Sequence, residues 1–321
     1  MKLRLALSLL LGLIVLAVVL LHFDLGAVKA ALLRAGFGGF ALIVAAGLAA
    51  EVVLALGLVP LLTARVPLSA VVAARQLRDS SADVLPITQL GGVAFAARAL
   101  VLAGMGATDA SAVVIADLTT ETFAQGLYVL TGVLTSLSLL HGSPQLSPYG
   151  GAMLGGALFL SAGSIGFAIL QMAGSRWAEK LGGKLFSLDH AQSFHRAVHA
   201  IYCRHGRVAA SILLQWAGWL ASGLWLWVVL TVMGTGVSMW TAVAVQALVE
   251  GLRSALVFVP ASVGVQEAGY AVLAPVFGFA PEIGLAASLL RRARDLMVAV
   301  PVLLIWQVVE SRRAARKNPS R

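Results

Sequence analysis

The 321 residues are 60% hydrophobic and only 12% charged, with a mean hydropathy of +0.92. A soluble domain carries about 25% charged residues, so an ordinary soluble fold is excluded. The formal charge of +9 reads first as membrane topology, and no nucleic-acid partner is expected. The single cysteine, Cys203, excludes an intramolecular disulfide.

A membrane-spanning helix needs roughly 20 apolar residues. Seven segments meet that need: 5–21, 36–62, 111–140, 149–174, 208–231, 240–259 and 284–309. In lipid every backbone polar group must be paired within its own segment, and the strict alternation of a membrane β-strand is absent, so all seven are expected to be helices. The first follows Lys2 and Arg4 and resembles a secretory signal. Val28-Lys-Ala30 is a poor cleavage site and further spans follow, so an uncleaved anchor is expected.

Loop charge gives an orientation. Residues 175–207 hold six Lys or Arg against Glu179 and Asp189, and the tail after Glu310 adds five more, whereas 141–148 and 232–239 have none. The positive-inside rule then places the N-terminus, the 175–207 loop and the C-terminus in the cytoplasm of a cell whose inner membrane the chain spans. Both ends inside require an even number of crossings, one more or one fewer than seven.

Two interrupted apolar stretches bear on that parity, 84–103 and 258–277. Pro and Gly break them, and broken helices at membrane depth are tolerated only where protein or water satisfies the freed backbone. They correspond at an offset of 174 residues: Pro86 with Pro260, Gly104 with Gly278 and, beyond them, Glu121 with Asp295. Either this is an internal repeat or a chance match between Gly- and Ala-rich segments. The expected fold class is an all-α polytopic membrane protein, with seven to eight transmembrane helices, re-entrant segments and a two-fold repeat. A single integral membrane domain, 1–321, would hold a first pseudo-repeat at 1–140, a linking helix and basic loop at 149–207, a second pseudo-repeat at 208–310 and a basic tail at 311–321. Interrupted segments at matching positions of two halves point to a transporter's substrate site.

Charges within these segments are costly and therefore informative. Asp117 and Glu121 share a helical face, as do Glu250 with Arg253, and Arg291 with Arg294 and Asp295. Glu51 and Glu267 stand alone, the latter beside Gln266 and Tyr270. These groups, with Arg98, form either a polar cavity whose arginines hold an anionic headgroup or a set of interhelical ion pairs that fix packing. Glu51, Asp117, Glu250 and Arg253 are the secondary candidates for such a cavity. Arg75 and Arg78 are expected to snorkel at a membrane boundary.

His195, His199 and Cys203 repeat every four residues and could align as soft metal ligands, but the same stretch reads as a basic amphipathic helix, and neither metal nor cofactor is expected. No HExxH, G-x-S-x-G or GxxxxGK[ST] motif occurs, so metalloprotease, hydrolase and NTP-driven pump signatures are missing.

The run Val259-Pro-Ala-Ser-Val-Gly-Val-Gln-Glu-Ala-Gly-Tyr270 resembles the hallmark of the flippase-like integral membrane family that includes the transmembrane region of lysylphosphatidylglycerol synthase. Leu85-Pro-Ile-Thr-Gln-Leu-Gly-Gly-Val-Ala-Phe-Ala-Ala-Arg98 is similar to the family's first block, and the whole chain looks closest to the branch found with hopanoid biosynthesis. The resemblance implies movement of a lipid between leaflets, here a hopanoid or an anionic phospholipid. Because the chain ends at Arg321, the soluble aminoacyl-transfer domain and its activity are not expected. Two alternatives stay open: a scaffold for lipid-biosynthesis enzymes, and an intramembrane enzyme acting on a lipid headgroup.

Overall fold

A computed structural model describes residues 25–84, 89–140, 166, 188–256 and 264–317. Among the described residues the chain is all-helical, with no strand. The helices are α1 (Leu25–Leu56), α2 (Leu68–Val84), α3 (Gln89–Leu102), α4 (Ala107–Leu140), α5 (Leu188–Tyr202), α6 (His205–Val232), α7 (Met239–Ala255), α8 (Val265–Val276) and α9 (Pro281–Lys317). The predicted segment 5–21, all but one residue of 149–174, and the two prolines of the offset match, Pro86 and Pro260, lie outside the described residues.

Three helices stop in the same way. After α3, α6 and α8 comes a glycine with positive φ, Gly104 (102°), Gly234 (81°) and Gly278 (83°). In each case the following N–H reaches back five residues, as Met105 to Leu100 O and Phe279 to Ala274 O, both 3.1 Å. This is the left-handed glycine cap that satisfies the last carbonyls of a helix. The next helix then starts at once, α4 with Asp109 and α9 with Glu282 in the first turn, where a carboxylate complements the positive end of the helix dipole.

Two apolar cores lie at opposite ends of the bundle. One gathers Ile43 of α1, Val229 and Met233 of α6, Val245 of α7, Phe277 at the end of α8 and Leu285 of α9. The other gathers Leu58 and Leu61 after α1, Val71 of α2, Leu100 of α3, Val113 of α4 and Ile201 of α5, with Trp306 of α9 against it. Helices α1 and α9 therefore run from the first core to the second, and α6 runs the opposite way. Helix α2 starts and α3 ends in the second core, so these two form a hairpin packed on itself. Helix α7 starts and α8 ends in the first core, a hairpin entering from the other end. Close approach is made by small residues: a Cβ on Gly218 of α6 would stand 2.6 Å from Leu54 of α1, and one on Gly92 of α3 2.5 Å from the Arg78 carbonyl of α2. In lipid, such packing replaces the hydrophobic drive between helices.

Three segments are long and apolar enough to cross a membrane: Leu33–Leu61, Ala107–Leu139 and His205–Val232. Helix α7 falls short at 17 residues. Helix α9 has 37 residues, about 55 Å at 1.5 Å per residue, and is long enough; its charged middle turn breaks the apolar run.

Candidate functional site

Charged side chains occupy the middle of the bundle, between the two cores, and each is delivered there by helical spacing. On α2, Arg75, Arg78 and Asp79 lie three and four apart and face α4. Arg78 Nη1 meets Asp117 Oδ2 at 2.8 Å, and both Arg75 and Arg78 bind Glu121. Asp79 closes the group from below, 2.6 Å from Arg75 Nε and 3.1 Å from Arg78 Nε. From α6, Gln215 Nε2 reaches Asp117 Oδ1 at 3.1 Å and Thr120 Oγ1 at 3.0 Å, and Ser211 Oγ lies 3.0 Å from Thr120 Oγ1. Gln215 is 0% exposed.

A second group forms on α7 and α9. Glu250 receives Arg291 Nη1 at 2.6 Å, Arg253 Nη1 at 3.1 Å and Gln246 Nε2 at 3.0 Å. Tyr270 of α8 donates to Gln246 and lies 3.3 Å from Arg291 Nη1. Arg294 pairs with Asp295 and, at 3.0 Å, with Glu51 of α1. Gln76 of α2 donates to the same Glu51, so Glu51 joins the two groups into one belt. The guanidiniums of Arg294 and Arg291 stand 5.1 and 5.9 Å from the Trp225 ring centroid, a cation–π arrangement, and Trp225 Nε1 donates to Ile43 O at 3.0 Å. At the inner end of α2, Asp83 lies in the field of Asp79, Asp295, Arg253 and Arg291, so the inner end of the first hairpin is within electrostatic reach of α7 and α9.

The belt brings together Glu51, Asp117, Glu121, Glu250, Arg253, Tyr270, Arg291, Arg294 and Asp295 of the sequence candidates. Arg98 is not among them: it is 45% exposed and pairs with Glu310 at 2.7 Å. Gln266 and Glu267 are buried but turned to a local task. Glu267, 0% exposed, accepts from the Gly264 N–H at 2.9 Å and pairs with Arg292 of α9, while Gln266 Nε2 donates to Ser288 Oγ at 2.9 Å. Together they cap α8 and fasten it to α9.

The expectation for Arg75 and Arg78 is corrected. They are 5% and 7% exposed and ion-paired across the bundle, because a guanidinium in the interior is tolerated when carboxylates face it. Sequence reading also missed Gln76, Asp79, Asp83, Ser211, Gln215, Gln246 and Arg292. The available signal was Ser211 with Gln215, four apart in an otherwise apolar helix, and the Arg75–Asp79 cluster leading into a broken segment. On α5, His199 Nδ1 lies 3.4 Å from Cys203 Sγ, and the His195 and His199 rings are 6.4 Å apart. Among the described residues no three His, Cys, Asp or Glu are placed to hold a metal ion.

The profile of the lysylphosphatidylglycerol synthase TM region matches residues 5–302. The chain belongs to this family. Family membership and the apolar helices make it a membrane-spanning protein, and the matched portion is the transmembrane region of the synthase type. No curated protein and no solved structure matches the chain.

Proposed function

We propose that this family member binds an amphiphilic lipid, a hopanoid or an anionic phospholipid, and moves it between the leaflets of the bacterial inner membrane. One observation carries the reading: a buried belt of carboxylates and guanidiniums runs between two helical hairpins that enter from opposite ends, joined through Glu51 of α1 and Arg294 of α9. Intramembrane charges of this density are expensive and mark substrate pathways. Secondary transporters built from inverted repeats place their substrate sites near the bilayer midplane, at the interface of the repeats.

In this reading the two halves are inverted copies, and the chain crosses the membrane seven or eight times. Helix α4 starts at residue 107 and α9 at 281, and α3 ends at 102 and α8 at 276, each 174 residues apart. The same interval separates Gly104 from Gly278. The two hairpins insert from opposite cores, as inversion requires. The end carrying α5, the start of α6 and the tail of α9 holds Arg196, Arg204, Arg207, Arg312 and Arg313, all exposed, which supports a cytoplasmic assignment for that end.

The test is lipid movement in vesicles reconstituted with purified protein, using fluorescent phosphatidylglycerol and an aminohopanoid analogue as probes. Arg294→Ala, which removes the cation shared by Glu51 and Asp295 and the nearer of the two guanidiniums over Trp225, is expected to abolish movement while the protein remains folded. Full activity in that variant would overturn the site assignment. A scaffold role draws on the same exposed arginines; it predicts that neutralising Arg196, Arg204 and Arg207 matters more than changing Arg294.

A further inference from the structure

The belt is not electrically balanced. Among the described residues seven carboxylates, Glu51, Asp79, Asp83, Asp117, Glu121, Glu250 and Asp295, meet five guanidiniums, Arg75, Arg78, Arg253, Arg291 and Arg294. The segments between the hairpin arms, 85–88 and 257–263, contain no ionisable residue. Every guanidinium is already paired with a carboxylate, and Asp83 makes neither a side-chain hydrogen bond nor an ion pair with any described residue. The groups facing it are Asp79 from its own helix, Asp295 and Arg291 from α9, and Arg253 from α7. Helix α1 contributes Glu51, occupied by Gln76 and Arg294, and the ionisable residue of α3, Arg98, is turned away to Glu310.

A second observation points toward an anion. Among the described residues Arg75 Nη1 is a buried donor with no hydrogen-bond acceptor, on a side chain 5% exposed, and Arg253 Nε and Arg291 Nε likewise lack one, Asp295 standing 3.8 Å from the latter. The belt thus has unspent N–H donors suited to phosphate oxygens, yet its surplus is negative. A phosphate cannot enter such a site without further charge compensation, because uncompensated charge in a desolvated interior costs several kcal/mol per ion. Protons on the surplus carboxylates supply that compensation.

We propose that the belt takes up protons when it loads a phosphate-bearing headgroup, and that Asp83, with its neighbour Asp295, is where the first proton is held. The phosphate then satisfies the free N–H of Arg75 and its neighbours, and the carboxylic acids formed at Asp83 and Asp295 no longer repel it. Movement of the lipid is thereby tied to proton movement. This inference rests on the lipid-headgroup reading and adds its coupling.

The experiment uses purified full-length protein in weakly buffered detergent, titrated with dihexanoyl phosphatidylglycerol. Tryptophan fluorescence reports binding and a pH indicator reports proton uptake. Binding is expected to draw in between one and two protons, and the apparent affinity to weaken about tenfold per pH unit for each proton coupled. Asp83→Asn is expected to lower uptake by about one proton and flatten the pH dependence; since Asp83 makes no side-chain hydrogen bond or ion pair with the described residues, the fold is expected to stay intact. Asp295→Asn serves as a second variant, and Glu310→Gln, on the exposed pair, leaves both readouts as in the parent. Lipid binding without proton uptake, or uptake unchanged in Asp83→Asn and Asp295→Asn, would overturn the coupling alone. Absence of binding by this lipid and by free inorganic phosphate would overturn the anionic-headgroup reading and the coupling with it. Binding of free phosphate with equal proton uptake supports the coupling and assigns it to the phosphate group rather than to the lipid chains.

Discussion

Glu250 offers the sharpest test of whether the belt is held by charge. Its Oε1 receives Arg291, Arg253 and Gln246 at 2.6, 3.1 and 3.0 Å, so one negative charge serves two guanidiniums and a carboxamide. Glu250→Gln keeps the shape and one carbonyl acceptor but removes the charge and turns an NH2 toward a cation. At an effective dielectric of about 20, unit charges about 4 Å apart attract by about 4 kcal/mol. Removing one member of a buried pair costs about 3–5 kcal/mol, since the partner stays buried and uncompensated. With about 2–4 °C of melting temperature per kcal/mol for a chain of a few hundred residues, the expected drop is on the order of 10 °C. The assay is thermal unfolding in detergent, followed by loss of the monodisperse peak in size exclusion. Glu250→Gln/Arg291→Gln is expected to recover part of the loss, with a coupling of about 1–3 kcal/mol. A Glu250→Gln protein that melts within about 2 °C of the parent, a shift worth about 1 kcal/mol or less, would refute the electrostatic account.

Other substitutions separate charge from packing. Gly284→Ala puts a Cβ 2.4 Å from the Tyr270 carbonyl oxygen, and since backbone cannot swing aside it is expected to lose about 1–3 kcal/mol in the same unfolding assay. Gly278→Ala meets no atom within 4 Å but holds φ at 83°, so its cost is the left-handed backbone alone, about 1–2 kcal/mol. Gly47→Ala places a Cβ 2.4 Å from Arg294 Nη1; the guanidinium is displaced from Glu51, and lipid movement in vesicles is expected to fall while the melting temperature changes little. Arg98→Ala removes a solvent-exposed pair and is expected to leave both melting and lipid movement as in the parent.

Part of this architecture was legible because it is local. The runs 111–140 and 208–231 anticipated α4 and α6 within a few residues, since apolar length and flanking polarity are properties of the segment itself. Gly104 and Gly278 were readable as a matched pair 174 residues apart, and both are left-handed helix caps. Asp117 with Glu121, and Arg291 with Arg294 and Asp295, were readable as faces because their spacing is helical. Pairing was not legible, because it is long-range: Arg78 finds Asp117 39 residues away, and Glu51 finds Arg294 on the last helix. Arg75 and Arg78 look like boundary arginines in sequence, and only the arrival of α4 beside α2 makes an interior position tolerable. Glu267 looks like a free intramembrane acid, but the turn at Gly264 and Arg292 consume it.

The two placements of charge belong to one arrangement. Outside the 175–207 loop and the tail the chain carries equal numbers of acidic and basic residues, so the net +9 resides in those two stretches. The described part of the loop and the tail lie at the same end of the bundle, while the interior belt holds the opposite surplus. An anionic headgroup approaching the basic end is attracted, within the roughly 8 Å over which exposed charges act at physiological salt. Further in, the surplus carboxylates reverse the sign of the interaction, and attraction continues only where protons or freed guanidiniums offset them. Affinity at the surface and resistance in the interior are thus set by different residues. Neutralising Arg204 and Arg207 should lower the rate of lipid capture and its salt dependence, whereas Asp83→Asn should alter its pH dependence and leave the salt dependence in place.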